Sequence, residues 1–433
     1  MNNTPFFSKI KKLSKNKTRF FVPGHKGNKT AIPPFAKILP FDITEINGAD
    51  DLQNPHDTLL KSQENMAKLY EVGASVYSAN GCTSCIEAML ATFLNEGDKV
   101  IMARNSHVSA VRGCAVLDLT PVWAFADGNN NFDTRQLSQM IKAENPKAVY
   151  ITSPNYYGQL ANVAQCAKVC EEFDIPLLVD NAHGAHLKFL VEDKHPVALG
   201  ATASADSVHK TLPCLTGSAV LQLKDKNLAQ KARWAVNFFS STSPSYLLMC
   251  SIDLAVGKLL NGDIDFQSTE LMCMKVKNAL KNLCIKGEQT DPLKITLVPA
   301  QTGHNVAEVL KALRRKNIEP EMIDDYHIVL MASPFNKEND FYTLVETLKP
   351  FVEGTGEMPT VSGILPEPII SIRKATFAAK ETVETQFSAG RIAAGIITPC
   401  PPGIPVVMPG EVITDEAVSL LIKSGIYFID VIQ

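Results

Sequence analysis

Seven short apolar runs recur along the first half of the chain, each about as long as a β-strand. They are ASVYSA (74–79), KVIMA (99–103), PVWAF (121–125), AVYIT (148–152), PLLVD (176–180), ADSV (205–208) and SAVLQL (218–223). Most are apolar at nearly every position instead of every second one, which suits strands covered on both faces. Between them come stretches with helical spacing, such as CIEAMLATFL (85–94), TRQLSQMIKAE (134–144) and AQCAKVCEEF (164–173). Strand and helix alternate, so the pattern predicts an α/β fold with a mostly parallel, seven-stranded sheet. Two long helices, NLAQKARWAVNFF (227–239) and YLLMCSIDLAVGKLL (246–260), follow it. Beyond them the pattern shortens: strand KITLV, helix NVAEVLKALRRKN, strands EPEMI and HIVLMAS, helix DFYTLVETLKPF. That reads as a smaller α+β unit. The tail TPCPPGIPVVMPGE (398–411) has too much Pro and Gly for a regular helix or a central strand. These shifts divide the chain into an N-terminal arm (1–45), a large domain (46–288) and a small C-terminal domain (289–433).

Composition narrows the function classes. Charged residues are 20% of the 433 and the net charge is −3, which leaves no general electrostatic footprint for nucleic acid or an anionic membrane. The basic N-terminus lacks an apolar signal core, and no run approaches the ~18 apolar residues of a membrane span. Ten cysteines lie scattered in mostly apolar contexts and read as free buried thiols, hence a cytoplasmic protein. Cys82 and Cys85 form a C-x-x-C without a second ligand pair, so no metal is expected.

Three features carry candidate chemistry. In YSANGCTSCIEAML (77–90) a strand ends, Asn80-Gly81 turns, and Thr83 and Ser84 stand at the head of a helix. Helix N-termini favour anions, although Ser and Thr there are also ordinary caps. In PLLVDNAHGAHLKF, Asp180 ends a buried strand, a frequent ligand position in open α/β sheets. His183 and His186 follow, and His186 is read as the surface one. Lys210 comes thirty residues after Asp180, enough chain to return to the same sheet edge. An amine desolvated in an apolar setting becomes reactive. Ser207 and His209 flank it as donors to an anion. His107, just beyond KVIMA, offers a flat ring at a strand end. An anion cup, a strand-end carboxylate and an amine are what pyridoxal phosphate needs for its phosphate, ring nitrogen and aldehyde.

The stretches FFVPGHKG, DITEINGADDL, NGCTSCI, ARNSHVSA, ITSPNYYG, VDNAHGAH, SVHKTL, STSPSY and TPCPPGIPVVMPGE span nearly the whole chain. Together they resemble the bacterial Orn/Lys/Arg decarboxylase family, whose fold is the aspartate-aminotransferase-like type I fold of pyridoxal-phosphate enzymes. The resemblance implies that Lys210 is the Schiff-base lysine and that Asp180 pairs with the pyridinium nitrogen. It implies His107 stacking on the ring, His183 beside the reacting carbon, and Thr83, Ser84, Ser207 and His209 on the phosphate. Thr242 would reach the phosphate of a neighbouring subunit, which makes a homodimer, or a higher oligomer built from it, the expected assembly. Only 22 residues precede Pro23, which fits the family's short form without an N-terminal wing domain. The implied reaction is decarboxylation of a basic amino acid, with arginine giving agmatine favoured over lysine or ornithine. An aminotransferase of the same fold and a non-catalytic regulatory relative are the alternatives. The substrate's distal cation needs a carboxylate. Glu411 is favoured for that, with Asp42, Glu45, Asp50 and Asp51 as other candidates. Three departures from the family pattern stand out: Asn181 where Glu is usual, Cys400 where Tyr is usual, and the cysteines of the cup.

Overall fold

The computed structural model describes residues 3–15, 17–285, 287, 289–356, 366, 368–398 and 405–433. The seven apolar runs form one sheet: β1 (Ala74–Ser78), β2 (Lys99–Ala103), β3 (Thr120–Ala124), β4 (Ala148–Thr152), β5 (Leu177–Asp180), β6 (Ala203–Asp206) and β7 (Ala219–Leu223). Their order is β1-β7-β6-β5-β4-β2-β3. The sheet is mostly parallel. β7 is the exception and runs antiparallel to both β1 and β6. The run at 205–208 is displaced from its predicted place. β6 ends at Asp206, and Val208–Thr211 is a short helical turn that carries Lys210. Ser207 stands at that turn's N-cap position, so the apolar Val208 continues the run in sequence but not in the strand.

Two compact units make up the chain. One contains residues 1–93 and 176–265, the other 94–175 and 266–433. In the first, helix Gly81–Phe93 begins four residues before its predicted start, directly after the Asn80-Gly81 turn. Gly81 has φ +74°, and a side chain there would meet nothing within 4 Å, so glycine serves the left-handed turn itself. The N-terminal arm forms helix Pro5–Leu13, which packs on helix Tyr246–Leu260. Gly257 permits that approach, because a Cβ there would lie 2.3 Å from Thr4 Cγ2.

Asp253, fully buried in helix Tyr246–Leu260, accepts the Phe7 backbone N–H at 2.8 Å and ties the arm down. Burial pushes its carboxyl up to about 6, while the arm's N–H groups pull the other way. The unfolded chain therefore loses this proton first. Stability from this group is full below about pH 4 and falls as pH rises through about 6. Asp253→Asn, which buries no charge, should gain up to about 3 kcal/mol over the parent at pH 7–8 and little at pH 4. Melting curves of the two proteins from pH 4 to 8 check this. Parallel profiles would contradict it.

In the second unit, strands Lys294–Leu297, Ile328–Met331 and Met322–Ile323 form a separate antiparallel sheet. Its core gathers Leu280, Ile295, Leu297, Val309, Leu313, Ile328 and Leu348. A further core around Ala393, Val407, Ile413, Leu421 and Val431 supports a two-stranded antiparallel sheet of Lys380–Glu384 with Phe428–Ile432. The nine described cysteines are free thiols, eight of them buried, and Cys400 lies outside the described residues. Among the described residues no helix is long and apolar enough to cross a membrane.

Candidate active site

Within the first unit, the ends of β1, β5 and β6 bring the predicted groups to one region. β5 and β6 are parallel neighbours with Asp180 opposite Ala205, so both strands end at the same edge. Asp180 is 2% exposed and accepts the Ala182 backbone N–H at 3.1 Å. Lys210 Nζ lies 3.0 Å from His183 Nε2. An ammonium has no acceptor, so the lysine donates and the imidazole proton sits on Nδ1. His183 is buried, so this contact is made inside the fold. His186 is not the surface histidine expected: it is 1% exposed. The 3₁₀ turn Ala185–Phe189 carries it inward, and Tyr70 pins that turn by donating to the Ala185 carbonyl at 2.7 Å.

The anion cup has donors of two kinds. Thr83 is exposed at the head of helix Gly81–Phe93, where first-turn N–H groups have no helical acceptor. Ser84 is turned inward instead: its hydroxyl donates to the Gly81 carbonyl at 3.0 Å and sits 2.7 Å from Ser78 Oγ. Ser84 thus offers the cup a backbone N–H more readily than its hydroxyl. His209 Nδ1 lies 2.9 Å from the Ser218 carbonyl and 3.2 Å from Ser207 Oγ. The carbonyl requires a proton on Nδ1, so His209 must be doubly protonated to donate again through Nε2. Thr242 is exposed, and its neighbour Ser241 donates its backbone N–H to Asn80 Oδ1 at 3.3 Å. That bond ties the STSPSY loop to the cup's first turn.

Cys82 and Cys85 are buried in the same helix. Burial pushes the Cys82 thiol well up, and the negative charge of Asp180 adds to the effect. Both cysteines are neutral packing groups in the cup wall.

The second unit holds His107 and Glu411. His107 is the N-cap of helix Val108–Leu117, its Nδ1 accepting the Ser109 backbone N–H at 3.2 Å. The exposed ring is thereby held in a fixed plane. Glu411 is 1% exposed and already partnered. It receives both terminal nitrogens of Arg104, one at 2.7 Å, and the Met408 backbone N–H at 2.7 Å. Arg104 also lies over the Trp123 ring, 5.1 Å from its centroid. Sequence reasoning missed this pair, because its members are 307 residues apart and Arg104 reads as loop polarity.

These residues fit pyridoxal phosphate. A glycine-turned helix head suits the phosphate, a buried strand-end carboxylate suits the ring nitrogen, and a lysine held by a histidine suits the aldehyde. The fold is of the aspartate-aminotransferase-like type. The chain is 28% identical to an arginine decarboxylase of Bacillus subtilis, over 98% of this chain and 94% of that one. It is 30% identical to a second protein of that bacterium, YaaO, over 97% and 94%. The structure superposes on the lysine decarboxylase LdcF of Francisella novicida with TM-score 0.83 at 18% identity, over 99% of this chain and 81% of that one. Residues 4–289 match the model of the Orn/Lys/Arg decarboxylase major domain, and residues 365–423 match the model of the C-terminal domain. With two thirds of its length inside the major-domain match, the chain belongs to the Orn/Lys/Arg decarboxylase family and is a pyridoxal-phosphate-dependent amino-acid decarboxylase.

Proposed function

We propose that the protein decarboxylates arginine, releasing CO2 and agmatine. The observation that carries this reading is end-to-end similarity to an arginine decarboxylase, covering nearly all of both chains. When bound, the cofactor supplies a protonated pyridine ring that takes up the electron pair left by departing CO2. The chain's own residues do the rest. Lys210 would hold the cofactor's aldehyde carbon. Asp180, a buried carboxylate, keeps the ring nitrogen protonated. His183 orients Lys210 through their 3.0 Å hydrogen bond, and the two together can hand a proton to the substrate's α-carbon. Thr83, the backbone at Ser84, Ser207 and His209 hold the phosphate. His107 would cover the ring, and Thr242 would complete the cup across a homodimer.

The guanidinium's counter-charge is assigned away from Glu411, because Arg104 already neutralises that carboxylate. Asp50 is similarly committed, since it accepts the backbone N–H groups of Asp51, His56, Asp57 and Leu59. Asp42 pairs with His25 at 3.1 Å. Glu45 and Asp51 remain without an ion pair among the described residues and supply the charge in this reading.

The test is a panel of arginine, lysine, ornithine and neutral amino acids, scored for CO2 and amine. Arginine should lead lysine and ornithine in kcat/KM by at least about tenfold, the discrimination expected from a site built around a charged group. A faster rate with lysine or ornithine would overturn the substrate assignment.

A further inference from the structure

Behind the strand ends lies a buried polar group that the chemistry above does not use. Asp206, the last residue of β6, is fully buried, as are His195, Ser204 and Asn181. Asp206 Oδ1 accepts from Asn181 Nδ2 at 2.8 Å and from Ser204 Oγ at 3.1 Å. Its Oδ2 lies 2.9 Å from His195 Nε2. His195 Nδ1 has no hydrogen-bond partner among the described residues. A carboxylate oxygen only accepts, so His195 donates to it through Nε2. Three donors therefore converge on one buried carboxylate. Edge-to-face packing of Tyr70 on His195, at 5.0 Å between ring centroids, fixes that donor in place.

Position gives the group its meaning. Asn181 immediately follows Asp180, and Asp206 immediately precedes the turn Ser207–Lys210. Side chains alternate along a strand, so Asp180 and Asn181 point to opposite faces. The backbone Asn181 N–H to Ala205 carbonyl bond, 3.0 Å, extends the ladder one step past Asp180. Asp180 and Asp206 end neighbouring parallel strands and Lys210 follows Asp206 by four residues, so the three groups share one sheet edge.

We propose that Asp206 is a positioning residue, clamping Asn181 to the end of β6 so that the Asp180–His183 segment is held in register with the turn that carries Lys210. The clamp rests on the assignment of Lys210 and Asp180 made above. It does two things. It fixes the spacing of the strand-end carboxylate and the amine, and it sets a carboxylate four residues before Lys210, where negative charge favours a cation on that nitrogen.

Three variants of the holoenzyme test this: Asp206→Asn, Asn181→Asp, and the two combined. Each conserves volume. Asn181→Asp sets two carboxylates at hydrogen-bond distance and should lower the melting temperature with or without cofactor. Asp206→Asn should stay folded and yellow. The pH midpoint of its visible band should fall by at least about half a unit, since a negative charge is gone. Its kcat should drop about tenfold with KM changed less than about twofold. The double variant exchanges donor and acceptor across the same bond and should recover both melting temperature and pH midpoint. A parental midpoint and kcat in Asp206→Asn would make the group merely structural and overturn the inference. So would a double variant that recovers stability without the midpoint, or one that fails to fold. A parent protein that never turns yellow would instead sink the Lys210 assignment, and the melting comparison of the three variants would still judge the Asn181–Asp206 bond.

Discussion

Lys210→Ala is expected to abolish the visible band of the purified protein and its amino-acid turnover together. The reason is covalent: no other amine is shown to hold the cofactor's aldehyde. Lys210 Nζ is bonded to His183 Nε2 at 3.0 Å, and alanine offers that imidazole nothing. The fold should survive. Lys210 is only half-buried and occupies the last turn of a four-residue helix, so truncation opens little core. Phosphate contacts at the Gly81 turn do not depend on the amine, so the variant should still bind the cofactor, weakly and without the lysine linkage. Absorbance spectra, equilibrium dialysis and a CO2 assay on the same preparation check all three statements. Yellow colour and turnover that persist unchanged would remove the basis for every other residue role proposed here.

The strand plan was legible because buried parallel strands are apolar on both faces, so continuous runs mark them. β2, β4 and the helix Tyr246–Leu260 fall where the pattern puts them. The pattern fails where an apolar residue belongs to a different element. Val208 extends ADSV by eye, yet it opens the turn that presents Lys210. Helix Val108–Leu117 was missed for a related reason: its residues are nearly all small or apolar, so no polar face reveals the period. The two-stranded sheet of Lys380–Glu384 with Phe428–Ile432 joins segments far apart in sequence, and its first strand is largely exposed and charged.

Site residues were legible by type and order, and their pairing was not. Asp180, His183 and Lys210 stand out because strand ends are where an α/β sheet places chemistry. Nothing in one dimension shows that Arg104 claims Glu411, or that Asp206 gathers Asn181 and His195. Both partnerships join buried polar groups, which must find partners somewhere in the fold. The Asn181 departure becomes intelligible in this light. An amide can donate to Asp206, whereas a carboxylate at 181 would face another carboxylate.

Asp180→Asn separates colour from catalysis, and its expected effect on rate is second only to loss of the lysine. Asparagine keeps the size of the side chain and can still accept the Ala182 backbone N–H, now 3.1 Å from Asp180 Oδ1. It cannot hold a proton on the ring nitrogen by opposite charge. Removing one partner of a buried, charge-stabilised pair costs about 3–5 kcal/mol. Felt wholly in the transition state, that is a loss of about 10² to 10³-fold or more in kcat. Lys210 is untouched, so the protein should remain yellow, with KM for arginine little changed. The substrate's contacts elsewhere are unaltered, and an interaction made mainly in the transition state lowers kcat and kcat/KM together. The charge removed is the second cause, after burial, that raises the Cys82 thiol, so that thiol should titrate at lower pH than in the parent. That second readout needs no cofactor. A variant within about threefold of the parent in kcat would show that Asp180 is not the partner of the ring nitrogen, since a difference that small is below 1 kcal/mol.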